Sequence, residues 1–170
     1  LQLKIQVDKN GFHKSMNPCT HAEYINHLYE IKNMFLFFKI TPPDEIEFQI
    51  INMTSVLKNL FHKDNTLALF NGSNNANYEQ ILKINNLKSD LRVKKMSDVS
   101  SGIAIYENKQ FKIFFDIVKP NSKLLNQNLH SSTLSFEMSY KEDKIITNCG
   151  SIEKRIGKKN EFLRYTAAHS

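Results

Sequence analysis

The sequence predicts an α+β chain in two parts, and three observations carry that prediction. Apolar residues recur at helical spacing up to about residue 60, they alternate with a period of two from Gly102 onward, and the composition changes between these stretches. Helices first and strands second argue against a parallel sheet wound by crossover helices. The expected organisation is a helical part over 1–66, a linker with short elements over 67–101, and a strand-bearing part over 102–170.

Leu1–Val7 reads as the last turns of a helix or a short strand, stopped by the turn-forming Asp8-Lys9-Asn10-Gly11. Asn17-Pro18 has the form of an N-cap with proline in the first helical position. His21, Tyr24, Ile25, Leu28, Ile31, Phe35 and Phe38 then follow at helical spacing, up to the break at Pro42-Pro43. A second helix is marked by Ile46, Ile50, Met53, Leu57 and Leu60 and closed by the polar run His62-Lys63-Asp64-Asn65, so the two make an αα-hairpin. Leu67–Phe70 is a short apolar run ended by Asn71-Gly72, and Asn77–Ile84 is at most two helical turns. Ile103 and Ile105, a polar turn over Glu107–Gln110, and Phe111, Ile113, Phe115 and Ile117 on one face predict a β-hairpin. Leu134, Phe136, Met138 and Tyr140, a turn over Lys141–Lys144 and the strand Ile145–Asn148 predict a second. An αα-hairpin and an unfinished sheet both bury themselves poorly, so the chain reads as an internal piece of a longer protein.

The 170 residues are 41% hydrophobic and 11% aromatic, enough for packed layers and too apolar for a disordered chain. No apolar run reaches the roughly 18 residues a membrane-spanning helix needs. The net charge of +6 rests almost wholly on lysine, whereas base readout and bidentate phosphate gripping favour arginine. A lysine-rich nucleic-acid-binding domain is therefore the weakest functional reading, though a general preference for polyanions fits the charge. Cys19 and Cys149 are far apart and lack CxxC spacing, so they read as two unpaired thiols.

Three segments occur in a specific order: His130-Ser131-Ser132-Thr133-Leu134-Ser135-Phe136-Glu137, then Asn148-Cys149-Gly150, then Arg164-Tyr165-Thr166-Ala167-Ala168-His169-Ser170. With the upstream Gly11-Phe12-His13-Lys14-Ser15-Met16-Asn17-Pro18, they resemble the heparinase II/III family of polysaccharide lyases. The resemblance implies the end of an (α/α) toroid joined to the first strands of an antiparallel β-sandwich. It also implies a zinc ion held at the positions of His130, Asn148 and His169. Asn148 stands where the family has aspartate, which removes an anionic donor that would offset the metal's charge, and Cys149 beside it is an alternative donor. Asn128 and Thr20 likewise stand where the family has a histidine and a proton-transferring tyrosine.

The activity implied is β-elimination on a uronic-acid-containing acidic glycan. That reaction neutralises the uronate carboxylate, removes the acidified C5 proton and protonates the departing O4 oxygen, tasks suited to His or Tyr near the operating pH. The candidates for proton transfer are His13, His21 and Tyr24, and Arg164 is a candidate for binding the acidic sugar. The plainer readings stand beside these. His21 and Tyr24 lie on the apolar stripe of their helix and fit a core. His13 sits in a turn, where exposure is the default. His27 and His62 read as solvent-facing or helix-end residues, Asp116 as a cross-strand or solvated carboxylate, and Arg164 equally as a structural ion pair.

The implied partner is thus an acidic polysaccharide, with no nucleic acid and no membrane span, and a periplasmic or cell-envelope location goes with the resemblance. The substitutions at Thr20, Asn128 and Asn148 support an alternative, a catalytically altered relative that binds acidic cell-envelope glycans. Substrate identity and oligomeric state are not legible in the sequence.

Overall fold

The computed structural model describes residues 2–74, 102–117 and 134–151. The short element expected at Asn77–Ile84, and Asn128, His130, Arg164 and His169, lie outside the described residues. The described part has three helices followed by four strands, α1 (Gln2–Gln6), α2 (Pro18–Phe37), α3 (Asp44–Asn59), β1 (Ile103–Glu107), β2 (Phe111–Asp116), β3 (Phe136–Tyr140) and β4 (Asp143–Ile146). It is an αα-hairpin followed by a four-stranded antiparallel sheet, the α+β order that the periodicities predict.

The start of α2 is set by chemistry visible in the sequence. Asn17 has extended backbone, its side-chain oxygen accepts from the N–H groups of Cys19 and Thr20, and Pro18 fills the first helical position. Beginning α3 directly after Pro43 satisfies the bias of the proline pair against preceding helix, and Asp44, Glu45 and Glu47 place negative charge at its positive end. A Lys32–Glu47 ion pair joins the two helices.

The apolar stripe of α3 is buried throughout its predicted positions, Ile46, Ile50, Met53 and Leu57. On α2 the stripe is buried only through Leu28, and Ile31 and Phe38, expected on the same face, are exposed. The reason is geometric. The buried side of α3 meets the first half of α2, and in the last turns only Phe35 still packs against the core.

The sheet is a simple meander in the order β1-β2-β3-β4. Ile105 pairs with Phe114, Phe114 with Glu137, and Met138 with Ile146 across the successive ladders, with an irregularity between Met138 and Ser139. The second hairpin turns earlier than expected, so β4 starts at Asp143 rather than Ile145, and Lys141 takes the positive φ that the tight turn requires. Leu134, expected within the strand alternation, lies before β3 with φ 70 and is 74% exposed. Its N–H donates to the Asp116 carbonyl, which turns the chain into β3 two residues after the predicted start.

Phe111, Ile113 and Phe115 share a face with Phe136, Met138 and Tyr140, and rings pair across the strands in Phe111–Tyr140 and Phe115–Phe136. This apolar face is the partly exposed one. The opposite face, Lys112, Phe114 and Asp116 of β2 with Glu137 and Ser139 of β3, is buried against the helical part. Phe114 and Ile103 join one hydrophobic cluster with Ile25, Ile50, Met53, Leu57 and Leu60 of the helices. Leu67, Ala68 and Phe70, from the stretch expected to link the two parts, are buried in the same cluster, each large side chain contributing about 1.5–3 kcal/mol.

Candidate functional site

The turn carrying His13 is assembled by local hydrogen bonds. The Asp8 carboxylate accepts from the N–H groups of Asn10 and Phe12, and antiparallel pairing of Val7 with His13 closes the loop. Gly11 has φ +87 and lies against Asn52 of α3, so a β-carbon there would be both strained and crowded. His13 is buried. Its Nδ1 accepts from the Ser15 N–H at 3.2 Å and meets Ser15 Oγ at 2.8 Å, which leaves Nε2 to carry the proton toward Gln6 Oε1 at 3.2 Å. Burial pushes the His13 imidazole below its ordinary pKa, so it stays neutral.

His21 holds this turn onto α3. Its Nδ1 accepts from the His13 backbone N–H at 3.1 Å and its Nε2 donates to the Met53 carbonyl at 2.8 Å. The ring is wholly buried against Phe12, and desolvation lowers its pKa to about 3. Tyr24, one helical turn further, packs its ring on His13 with centroids 5.1 Å apart. Tyr24 is half-buried, and that burial raises its phenol pKa. The three residues singled out from the sequence are therefore brought together, with Tyr24 the one open to solvent.

A second polar group lies where the helices meet the sheet. Glu137 is fully buried, and its two oxygens accept from His62 Nε2 at 2.8 Å, the Leu69 N–H at 3.2 Å, the Asn148 N–H at 2.9 Å and Thr147 Oγ1 at 3.4 Å. The His62 ring also packs edge-on against Phe114. Asn148 is itself buried beside Glu137, close to the register read from the hairpin. From there the contacts continue back to the helices. Ser151 donates through its N–H to the Ser73 carbonyl and through Oγ to the Gly72 carbonyl, each at 2.8 Å. Asn71 donates to the Met16 carbonyl, and Asn17 donates to that of Asn71.

His62 is thus not solvent-facing, and Asp116, 1% exposed, is not a solvated carboxylate. In both cases only the solvent-facing alternative fails, because the sheet lays the Lys112, Asp116 and Glu137 face on the helices; His62 does lie just past the end of α3, and Asp116 does share the Lys112 face of its strand. His27 is exposed as expected. The importance of Glu137 was invisible locally, since a glutamate alternating with Phe136 and Met138 looks like the wet side of a strand.

No group of three or more His, Cys, Asp or Glu able to hold a metal occurs among the described residues. Asn148 offers a neutral carboxamide and the adjacent Glu137 carboxylate is already saturated by four donors, so neither supplies the anionic oxygen of a zinc site, and the other two positions of the implied set, His130 and His169, lie outside the described residues. No helix among them is long and apolar enough to cross a membrane.

Residues 93–170 match the family described as Heparinase II/III-like, C-terminal. Solved structures similar to this chain include heparan sulfate lyase HepC from Pedobacter heparinus, a heparinase III gene product and a further heparinase III. HepC superposes with TM-score 0.68 at 16% identity, covering 99% of this chain and 31% of HepC. The heparinase III gene product gives TM-score 0.74 at 16% identity, with 99% and 30% covered. The further heparinase III gives 0.68 at 12% identity, with 99% and 32% covered. The chain spans about a third of the length of these structures, and the likeness establishes a shared fold. No curated protein sequence matches the chain.

Proposed function

We propose that the protein carrying this chain is a polysaccharide lyase that cleaves a uronic-acid-containing acidic glycan by β-elimination. The observation that carries the proposal is the packing of Tyr24 on His13, on a fold shared with heparan sulfate lyases. Tyr24 keeps an exposed edge and a phenol that is protonated near neutral pH, the form that protonates the departing O4 oxygen, while the C5 proton passes to a base outside these three residues, since both imidazoles are hydrogen-bonded at each ring nitrogen. His13 and His21, neutral and hydrogen-bonded at both ring nitrogens, act behind it by fixing the ring that Tyr24 rests on. Arg164 is assigned to the substrate carboxylate, and His130, Asn148 and His169 to a metal position that takes no step in this scheme.

The test is ultraviolet detection of the unsaturated uronate product from heparan sulfate and polyuronates, using the full-length parent and its Tyr24→Phe variant. Product from the parent, reduced at least about 100-fold in the variant, is the expected result. A parent that binds these glycans and releases no product would replace the proposal with the second reading, a non-catalytic glycan-binding relative. That reading is favoured by the full engagement of both imidazoles within the protein and by the neutral Asn148.

A further inference from the structure

We propose that Glu137 is a positioning residue. It clasps the 147–151 segment at the end of the sheet to the helical part, and so sets Asn148 in a fixed relation to the turn that carries His13. The consequence for chemistry rests on the elimination reading; the clasp does not.

Glu137 is the point where both parts converge. From the helical side it receives His62 Nε2 and the Leu69 N–H, and from the sheet side the Asn148 N–H and Thr147 Oγ1. Every partner is a donor, and an ionised carboxylate is an acceptor at both oxygens, so the residue type matches the site. Glutamine has the same shape, but it would turn an NH₂ group toward one pair of these donors. A fully buried carboxylate shared in this way ties elements that are distant in the chain, since His62 and Glu137 are 75 residues apart.

The clasp also has a continuation. Gly150 lies so close to the Ser73 carbonyl that a β-carbon would stand 2.9 Å from that oxygen, and Ser151 then bonds back to Gly72 and Ser73. Asn71, adjoining Gly72, exchanges side-chain hydrogen bonds with Met16 and Asn17 at the foot of α2. The route from Asn148 to the His13 turn is thus a run of direct hydrogen bonds and adjacent backbone, with Glu137 at its sheet end.

The test is residue-resolved amide hydrogen exchange on the full-length parent and its Glu137→Gln variant. The Leu69 and Asn148 amides are expected to exchange at least about tenfold faster in the variant, with Ile105 and Phe114 of the β1–β2 ladder changed less than about twofold. Unchanged rates at Leu69 and Asn148 would overturn the clasp. A uniform rise at all four would overturn it too, by making Glu137 a contributor to global stability only. Should Glu137→Gln fail to fold, Glu137→Asp, which keeps the charge and shortens the reach, reads the same amides, and acceleration at Leu69 and Asn148 together is again the expected result.

In the full-length parent, Glu137→Gln is expected to lower kcat with KM unchanged. Selective exchange with an unchanged kcat would overturn the positioning role. A parent with no turnover counts against the elimination reading alone, and the exchange pattern then decides the clasp.

Discussion

The backbone N–H of His13 donates to Nδ1 of His21 at 3.1 Å, so a residue on the first turn of α2 fixes the loop that precedes it. The same ring donates from Nε2 to the Met53 carbonyl, which makes His21 the fastener between the loop, α2 and α3.

Because this arrangement requires a neutral ring, stability depends on pH. The folded-state pKa of His21 is about 3, below the ordinary value of 6.5, so the unfolded chain binds the extra proton between these values. Its contribution is complete above about pH 6.5 and is lost as pH falls toward 3, by about 1 kcal/mol per pH unit. His13, also lowered by burial, acts in the same direction. Urea denaturation across this range should show the slope, and His21→Gln should flatten it; an unchanged slope would remove His21 as its source.

The two members of the His62–Glu137 pair are unequal. Glu137→Met orphans the Leu69 and Asn148 N–H groups as well as His62, and should cost about 3–5 kcal/mol. His62→Phe leaves the carboxylate its other donors and should cost about 1–3 kcal/mol. Equal losses in chemical denaturation, or a larger one for His62→Phe, would contradict the asymmetry.

Asn17 is both the cap of α2 and a donor to Asn71. Asn17→Ala should therefore cost more than the ordinary cap loss of about 1 kcal/mol. Asn17→Asp keeps the capping oxygen and loses only the donor to Asn71, so its loss should be the smaller of the two. Thermal unfolding of both variants separates the cap from the cross-link.

Metal analysis of the full-length parent bears on the position implied for His130, Asn148 and His169. With a neutral Asn148 in place of a carboxylate, zinc should be sub-stoichiometric, and Asn148→Asp should raise its occupancy. His130→Ala and His169→Ala should each abolish what is bound. Full zinc occupancy that survives both alanine variants would place the ion elsewhere.

The local structure was legible because it is written in local chemistry. Asn17-Pro18 announces the start of α2, Pro42-Pro43 the break before α3, and two-residue alternation marks β1, β2 and β3. His13, His21 and Tyr24 could be grouped from sequence because one turn and one helix carry them all. Glu137 and His62 could not, since each lies in a stretch whose polarity reads as solvent-facing, and their meeting depends on a contact between distant segments.

The amino-acid sequence by itself determined the order of helices and strands, the start of α2, the two-residue alternation of the strands and the likeness to heparinase II/III. These follow from periodicity, caps and turn residues acting over a few positions. Only the tertiary structure decided which face of the sheet meets the helices. Periodicity separates the two faces of a strand without saying which is covered, and burying the polar one became possible because Glu137 finds its donors in His62, Leu69 and Asn148.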